Sequence, residues 1–289
     1  MGFTDRIERC LRENIEASRG PSCPPGLDQA VQHAVFPCGA RIRPKICLAV
    51  ADACGEDHPE ISEAAAASIE LLHCASLVHD DLKCFDNSPL RRGRPSIHQA
   101  YGERLAVLAG DALIVLAFQT LTRAAAQAPE RLPQLMQIIT RSVGMQAGII
   151  AGQAWECEPQ VNLANYQQLK TGSLFAAATM AGAAATGVDP RPWRALGEHI
   201  GSAYQVVDDI LDVAGNAEQL GKPIGQDEAR GHPSSVREMG LEGARRHFEA
   251  VMAGIVGKIP PCPGEARLKA QVIEESSKFL PAALAEHAA

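Results

Sequence analysis

The chain has 289 residues, 46% hydrophobic and 21% charged, ordinary values for a globular protein and enough length for one large domain or two small ones. Its 27 basic against 34 acidic residues give a net charge of −7, which argues against a nucleic-acid scaffold. Seven Phe, three Tyr and two Trp leave the core to aliphatic side chains.

The chain opens MGFTDRIERC, with no basic stretch leading into an apolar one, so no secretory signal is expected. Nine cysteines (10, 23, 38, 47, 54, 74, 84, 157 and 262) are scattered without a CxxC pair, and reduced thiols in a cytoplasm are the expectation. After a breaker at residues 21–25, helical patterning dominates. Residues 61–77 combine strong helix formers with apolar positions every three or four residues. Stretches 104–126, 131–156, 163–187 and 192–217 behave alike, and a weaker amphipathic pattern covers 236–256. Residues 105–121 form the longest apolar run, interrupted by Asp111. It is shorter than the ~20 residues a membrane helix needs, and a buried core helix is expected there. Further breakers at 87–95 and 221–233 are expected to be loops between helices. No alternating run supports a strand. The expectation is an all-α, single-domain bundle of roughly ten helices with a deep central cavity, spanning 1–289.

Two acidic clusters interrupt this apolar pattern. The first is His79-Asp80-Asp81-Leu82-Lys83-Cys84-Phe85-Asp86; the second is Tyr204-Gln205-Val206-Val207-Asp208-Asp209-Ile210-Leu211-Asp212. Asp208 and Asp212 lie about 40° apart around a helix and so share a face. Burying unpaired carboxylates costs several kcal/mol each, so something cationic should compensate them. Hard carboxylate oxygens suit Mg²⁺, which binds through one or two carboxylates plus substrate phosphates. The arginines of Leu90-Arg91-Arg92-Gly93-Arg94-Pro95 and Arg41-Ile42-Arg43-Pro44, with Lys170-Thr171 and Lys222, match a polyphosphate partner.

These motifs resemble the trans-type isoprenyl diphosphate synthases, most closely the bacterial-type geranylgeranyl diphosphate synthases. HDDLKCFDNSPLRRGRPS looks like the first aspartate-rich motif in its DDxxxxD form, and VVDDILDV like the second. GERLAVLAGDAL, LKTGSLF, YQVVDD and GKPIGQD match further blocks in the family's order, and the resemblance covers roughly residues 30–235. It implies the isoprenoid synthase fold, usually a homodimer, condensing isopentenyl diphosphate with an allylic diphosphate (dimethylallyl, geranyl or farnesyl). It further implies three Mg²⁺ per site, catalytic roles for Asp80, Asp81, Asp86, Lys170, Asp208 and Asp209, and metal ligation by Asp80, Asp86, Asp208 and Asp212. By the same resemblance, Arg91, Lys170, Thr171, Gln205 and Lys222 hold the allylic diphosphate, while Arg43, His73 and Arg92 hold isopentenyl diphosphate. The chemistry implied is ionisation of the allylic C–O bond, attack by the isopentenyl double bond, and loss of a proton to the released diphosphate. Ala75 and Ser76, five and four residues before Asp80, are small where farnesyl-making relatives usually carry an aromatic. A C20 product is therefore expected, with Leu71 and Leu72 as its floor and carotenoid or chlorophyll side chains as frequent uses.

Departures from the family pattern fall on the cations. Ala40 stands where GGKRxRP has lysine, Gln226 and His232 replace two further lysines, and Glu156 fills a position often held by Asp. A raised Michaelis constant is expected, and Ala40→Lys should lower the constant for isopentenyl diphosphate. The alternatives are a class I terpene cyclase, whose usual second metal motif and aromatic lining are missing, and a non-catalytic partner subunit, which typically loses an acidic motif.

Overall fold

The structure, a computed structural model, describes residues 1–36, 39–215, 234–277 and 279. Ten of its helices are eleven residues or longer: α1 (Phe3–Ala17), α2 (Pro25–Val35), α3 (Ile42–Cys54), α4 (Pro59–Asp80), α6 (Glu103–Ala124), α7 (Leu132–Val143), α10 (Ser173–Ala185), α11 (Arg194–Ala214), α12 (Ser235–Ile255) and α13 (Glu265–Ser277). Three short ones, α5 (Ile97–Tyr101), α8 (Ile149–Ala154) and α9 (Leu163–Gln167), complete the set among the described residues. Alanine explains much of this. Ala64–Ala67 of α4 and Ala176–Ala178 of α10 are buried; alanine has the highest helix propensity, and its small side chain lets neighbouring helices approach closely. One cluster of buried apolar residues runs through α1–α4, α6, α7, α10, α11 and α13.

Three expectations needed correction. Stretch 131–156 is not one helix: Gly144 (ψ 179°) and Gly148 (ψ −174°) drop to extended backbone and divide it into α7 and α8. Within 163–187, residues Gln168–Gly172 form a turn of π-helix between α9 and α10. The stretch 104–126 is helical but not a wholly buried core helix. Pro59–Asp80 and Glu103–Ala124 are both long and apolar enough to cross a membrane by length and composition, yet the first is 83% buried and the second only 44%. The apolar run in α6 is therefore split between a face packed on α4 and an outer face bearing Val107, Leu108 and Val115.

Breaker 87–95 contains a minimal antiparallel ribbon, β1 (Leu90–Arg91) with β2 (Arg94–Pro95), too short to show as alternation. Of the other breakers, 21–25 is the α1–α2 connection, with Pro25 opening α2, and 221–233 lies outside the described residues. The eight described cysteines are free thiols.

Candidate active site

Helix α4 delivers the first acidic cluster at its C-terminus. Carboxylates are disfavoured at that end by the helix dipole, so their placement calls for cations. Asp81, 2% exposed, has one: Arg91 donates from Nη2 to Asp81 Oδ1 at 2.5 Å and from Nε to both carboxylate oxygens at 3.1 and 3.2 Å. Asp80 turns elsewhere. Its Oδ1 is buried, has no hydrogen-bond partner among the described residues and lies 3.7 Å from Lys170 Nζ. The six-residue spacing of DDxxxxD is closed by the loop beyond α4, where the Asp86 amide donates to the Asp80 carbonyl at 2.8 Å. Asn87, at φ 44°, turns the chain back there.

Helix α11 carries the second cluster. Asp209, 1% exposed, accepts from Gln205 Nε2 (2.8 Å), Gln167 Nε2 (3.0 Å) and the Ser235 amide (2.6 Å). It is tied to protein donors and holds the start of α12 against α11. Adjacent residues point about 100° apart around a helix, so Asp208 leaves α11 in a different direction from Asp209.

The π-helical turn links the two clusters. Such turns re-aim side chains and recur at functional sites. Lys170 reaches the first cluster at Asp80, while Thr171 Oγ1 donates to Gln205 Oε1 at 2.5 Å, beside the second. Glu156 accepts from Lys170 Nζ (2.5 Å), Tyr166 Oη (2.5 Å) and Gln153 Nε2 (2.6 Å). Burial disfavours the Lys170 ammonium, but Asp80, Tyr166 and Glu156 outweigh it and raise its pKa, so it is charged at neutral pH. Helix α8 packs directly on this turn: a Cβ at Gly152 would lie 2.4 Å from the Lys170 amide nitrogen, so only glycine fits.

A second, more basic corner forms around α3. The Arg43 guanidinium lies over the rings of Phe175 and Tyr204, 4.3 and 5.4 Å from their centroids, with Nη1 3.5 Å from His73 Nε2. Arg43 Nε is buried and has no hydrogen-bond partner among the described residues. The Arg92 guanidinium packs on the Gly39 backbone. Burial, then the charges of Arg43, Arg92, Arg91 and Arg41, hold the His73 pKa well below its ordinary value, so the ring is neutral at pH 7. Two arginines and a neutral imidazole form a cradle for an anion.

The predicted residues thus gather into two adjoining places. Asp80, Lys170, Thr171, Gln205 and Asp209 are linked by direct contacts, and Arg43, His73 and Arg92 form the neighbouring corner. Asp81 and Asp209, expected to be catalytic, are engaged by protein donors. Arg91, expected on the allylic diphosphate, is engaged with Asp81, although its Nη1 is not spent on that carboxylate. Lys222, Gln226 and His232 lie outside the described residues. Ala75 is buried and Ser76 half-buried, its Oγ bonded to the His73 carbonyl. Sequence reasoning overlooked Tyr166 and Gln167, which sit just before Lys170-Thr171, and treated Glu156 only as a departure.

Two cavities border these elements. One of about 40 Å³ lies behind the first cluster, touched by Cys74, Asp81, Arg91 and Arg92. Another of about 420 Å³, bordered by Phe3, Lys45, Ile200 and Gln271, touches neither acidic cluster.

Residues 24–271 match the polyprenyl synthetase family. The chain belongs to that family. It is 50% identical over 285 residues to a geranylgeranyl diphosphate synthase of Cereibacter sphaeroides, covering 99% of both chains. A geranylgeranyl diphosphate synthase of Rhodobacter capsulatus is also 50% identical, over 95% of this chain and 94% of the relative. Among solved structures, a geranyltransferase from Helicobacter pylori, complexed with magnesium and isoprenyl diphosphate, superposes with a TM-score of 0.84 at 30% identity, covering 96% of each chain. The polyprenyl synthetase fold is therefore the frame in which both corners sit.

Proposed function

We propose that this protein is a geranylgeranyl diphosphate synthase, a trans-prenyltransferase that joins isopentenyl diphosphate to a shorter allylic diphosphate within one domain spanning the chain. The observation that carries this reading is the adjacent pair Lys170-Thr171, which touches Asp80 on one side and Gln205, one turn before Asp208, on the other. Two acidic walls bridged in this way enclose a site for a metal-bound diphosphate, and the arginine corner supplies the second diphosphate site that a condensation needs. Geranylgeranyl diphosphate synthases at 50% identity over nearly the whole chain support the same reading.

The residues fit magnesium. Asp80 offers a buried carboxylate oxygen with no hydrogen-bond partner among the described residues. Among the described residues no three metal-binding side chains converge in one group. Magnesium keeps its waters and takes few protein ligands. Asp80 and Asp86 would hold it on one wall, and Asp208 and Asp212 on the other, with three ions per site as in the family pattern. When bound, magnesium supplies positive charge against the departing diphosphate. Lys170, fixed in its charged form, and the remaining donor of Arg91 hold that diphosphate's oxygens. Asp81 and Asp209 keep Arg91 and Gln205 in place. Thr171 spends its proton on Gln205, which leaves its oxygen lone pairs available to the developing allylic cation. Arg43, Arg92 and neutral His73 hold isopentenyl diphosphate in register for attack.

The small, half-buried Ser76 leaves room beside α4 for a tail longer than C15, and the product is geranylgeranyl diphosphate. A second copy of the chain is the partner for the outer face of α6, where Val107, Leu108 and Val115 stand 42, 51 and 56% exposed beside Asp111. The test is product analysis with purified protein, Mg²⁺, isopentenyl diphosphate and each of the three allylic primers. A C20 diphosphate is expected; a hydrocarbon, or no turnover, overturns the reading.

A further inference from the structure

Arg41 and Arg43 stand two residues apart and do different work. Arg41 is a non-glycine residue in the left-handed region (φ 53°, ψ 36°) at the N-cap of α3, a conformation that costs on the order of 1 kcal/mol. Its side chain is 1% exposed and spends all three nitrogens. Nε donates to Glu8 Oε1 on α1 (2.8 Å), Nη1 to Glu70 Oε1 on α4 (2.6 Å), and Nη2 to the Val35 carbonyl closing α2 (2.8 Å). One guanidinium therefore fastens three helices to the start of a fourth. A lysine, with one point charge, cannot reproduce that planar fork.

Two of these ties, and Arg41's own place in the chain, lead to the arginine corner. Arg43 follows two residues later on α3. Glu70 sits three residues before His73 on the same face of α4. Beyond Val35, the chain reaches Gly39, on which the Arg92 guanidinium packs so closely that a Cβ there would lie 2.7 Å from it. Arg92 is itself left-handed (φ 54°). Two such strained arginines at one corner indicate a geometry imposed by the surroundings rather than by local preference. Among the described residues, none of the hydrogen-bond partners of Arg41 touches Lys170, Thr171 or Gln205.

We propose that Arg41 is a positioning residue for the isopentenyl diphosphate site: through Glu8 and Glu70 it holds Arg43, His73 and Arg92 in register, and so makes the N-terminal helix α1 part of that site's support. The inference rests on the assignment of this corner to isopentenyl diphosphate given above. With Ala40 in place of the family's lysine, the corner has fewer cations, and the alignment of those remaining matters more.

The test uses the full chain carrying Glu8→Gln or Arg41→Lys, with each substrate varied in turn. Glu8→Gln keeps the shape and removes one charged acceptor, so it remains informative if Arg41→Lys does not fold. The Michaelis constant for isopentenyl diphosphate should rise by about fivefold in Glu8→Gln and further in Arg41→Lys. In Glu8→Gln, kcat and the constant for the allylic substrate should stay within about twofold. An equal rise for both substrates, a fall in kcat alone, or no change overturns the proposal. Calorimetric titration of isopentenyl diphosphate into wild type and Glu8→Gln reads the same shift in Kd without turnover. If wild type binds isopentenyl diphosphate but forms no longer chain, the functional reading fails, and the two titrations still decide the role of Arg41.

Discussion

Glu156 Oε1 and Lys170 Nζ are 2.5 Å apart, and this contact sets where the lysine's charge is presented. Tyr166 and Gln153 donate to the same carboxylate, so Glu156 is fixed before it fixes Lys170. Asp80, 3.7 Å from the same ammonium, competes for it. Glu156→Gln should let Lys170 move onto Asp80, drawing both from the diphosphate. A fall of about tenfold in kcat/KM for the allylic substrate is expected, the equivalent of one charge-assisted hydrogen bond. Steady-state kinetics with Glu156→Gln and Glu156→Asp check this, and the aspartate variant should retain more activity.

The two members of the first aspartate pair should fail in different ways. Asp81→Asn leaves Arg91 half-buried without its countercharge and should lower stability by about 3 kcal/mol. Asp80→Asn removes one of two carboxylates beside Lys170 and leaves Glu156 in contact with it, so folding should be little affected while kcat falls on the order of 100-fold. Thermal unfolding alongside a turnover assay separates the two. Loss of stability in Asp80→Asn with none in Asp81→Asn would contradict the division of roles.

His73 sets a pH dependence of stability. Its folded pKa is depressed, chiefly by burial and then by the neighbouring arginines, whereas the unfolded chain titrates it near 6.5. Between those two values the unfolded state binds the extra proton and the folded state does not. Stability contributed by the neutral ring is therefore present above pH ~6.5 and lost as pH falls, at up to about 1.4 kcal/mol per pH unit. Unfolding midpoints between pH 7.5 and 5 should drop less in His73→Gln than in wild type; parallel curves would count against this.

Chain length should respond at Ser76 rather than Ala75. Ala75 is 2% exposed and packed in the core, so Ala75→Phe overpacks it and should cost about 1–3 kcal/mol. Ser76 is half-buried and better able to accept a ring. Ser76→Phe should shift the product from C20 toward C15 with the fold intact, as read by chromatography of the dephosphorylated products.

Much of this was legible because the chemistry is written in short contiguous motifs. HDDLKCFD, LRRGRP, LKTG and VVDDILD each announce a charge density that apolar helices do not tolerate without partners. What engages the other aspartate of each pair was not legible, since its donors come from elsewhere in the chain: Arg91 for Asp81, and Gln167 and Ser235 for Asp209. The π-helical turn left no mark, because apolar periodicity runs on through 163–187. The same continuity concealed the break at Gly144–Gly148. Helix α1 was within reach, its buried Ile7, Leu11 and Ile15 spaced four apart. The buried role of Arg41 was not, because nothing in GARIRP distinguishes an arginine fastened to glutamates from one awaiting a phosphate.

The central claim is that Asp80 and Asp86 face Asp208 across a diphosphate held by magnesium and Lys170. A crystal structure of the protein with magnesium, isopentenyl diphosphate and a non-hydrolysable thio analogue of farnesyl diphosphate tests it most directly. Metal ions should be ligated from both walls, with the analogue's phosphates on Lys170 and Arg91 and isopentenyl diphosphate on Arg43 and Arg92. Phosphates seated elsewhere, or walls that bind no metal when both ligands are present, would contradict it.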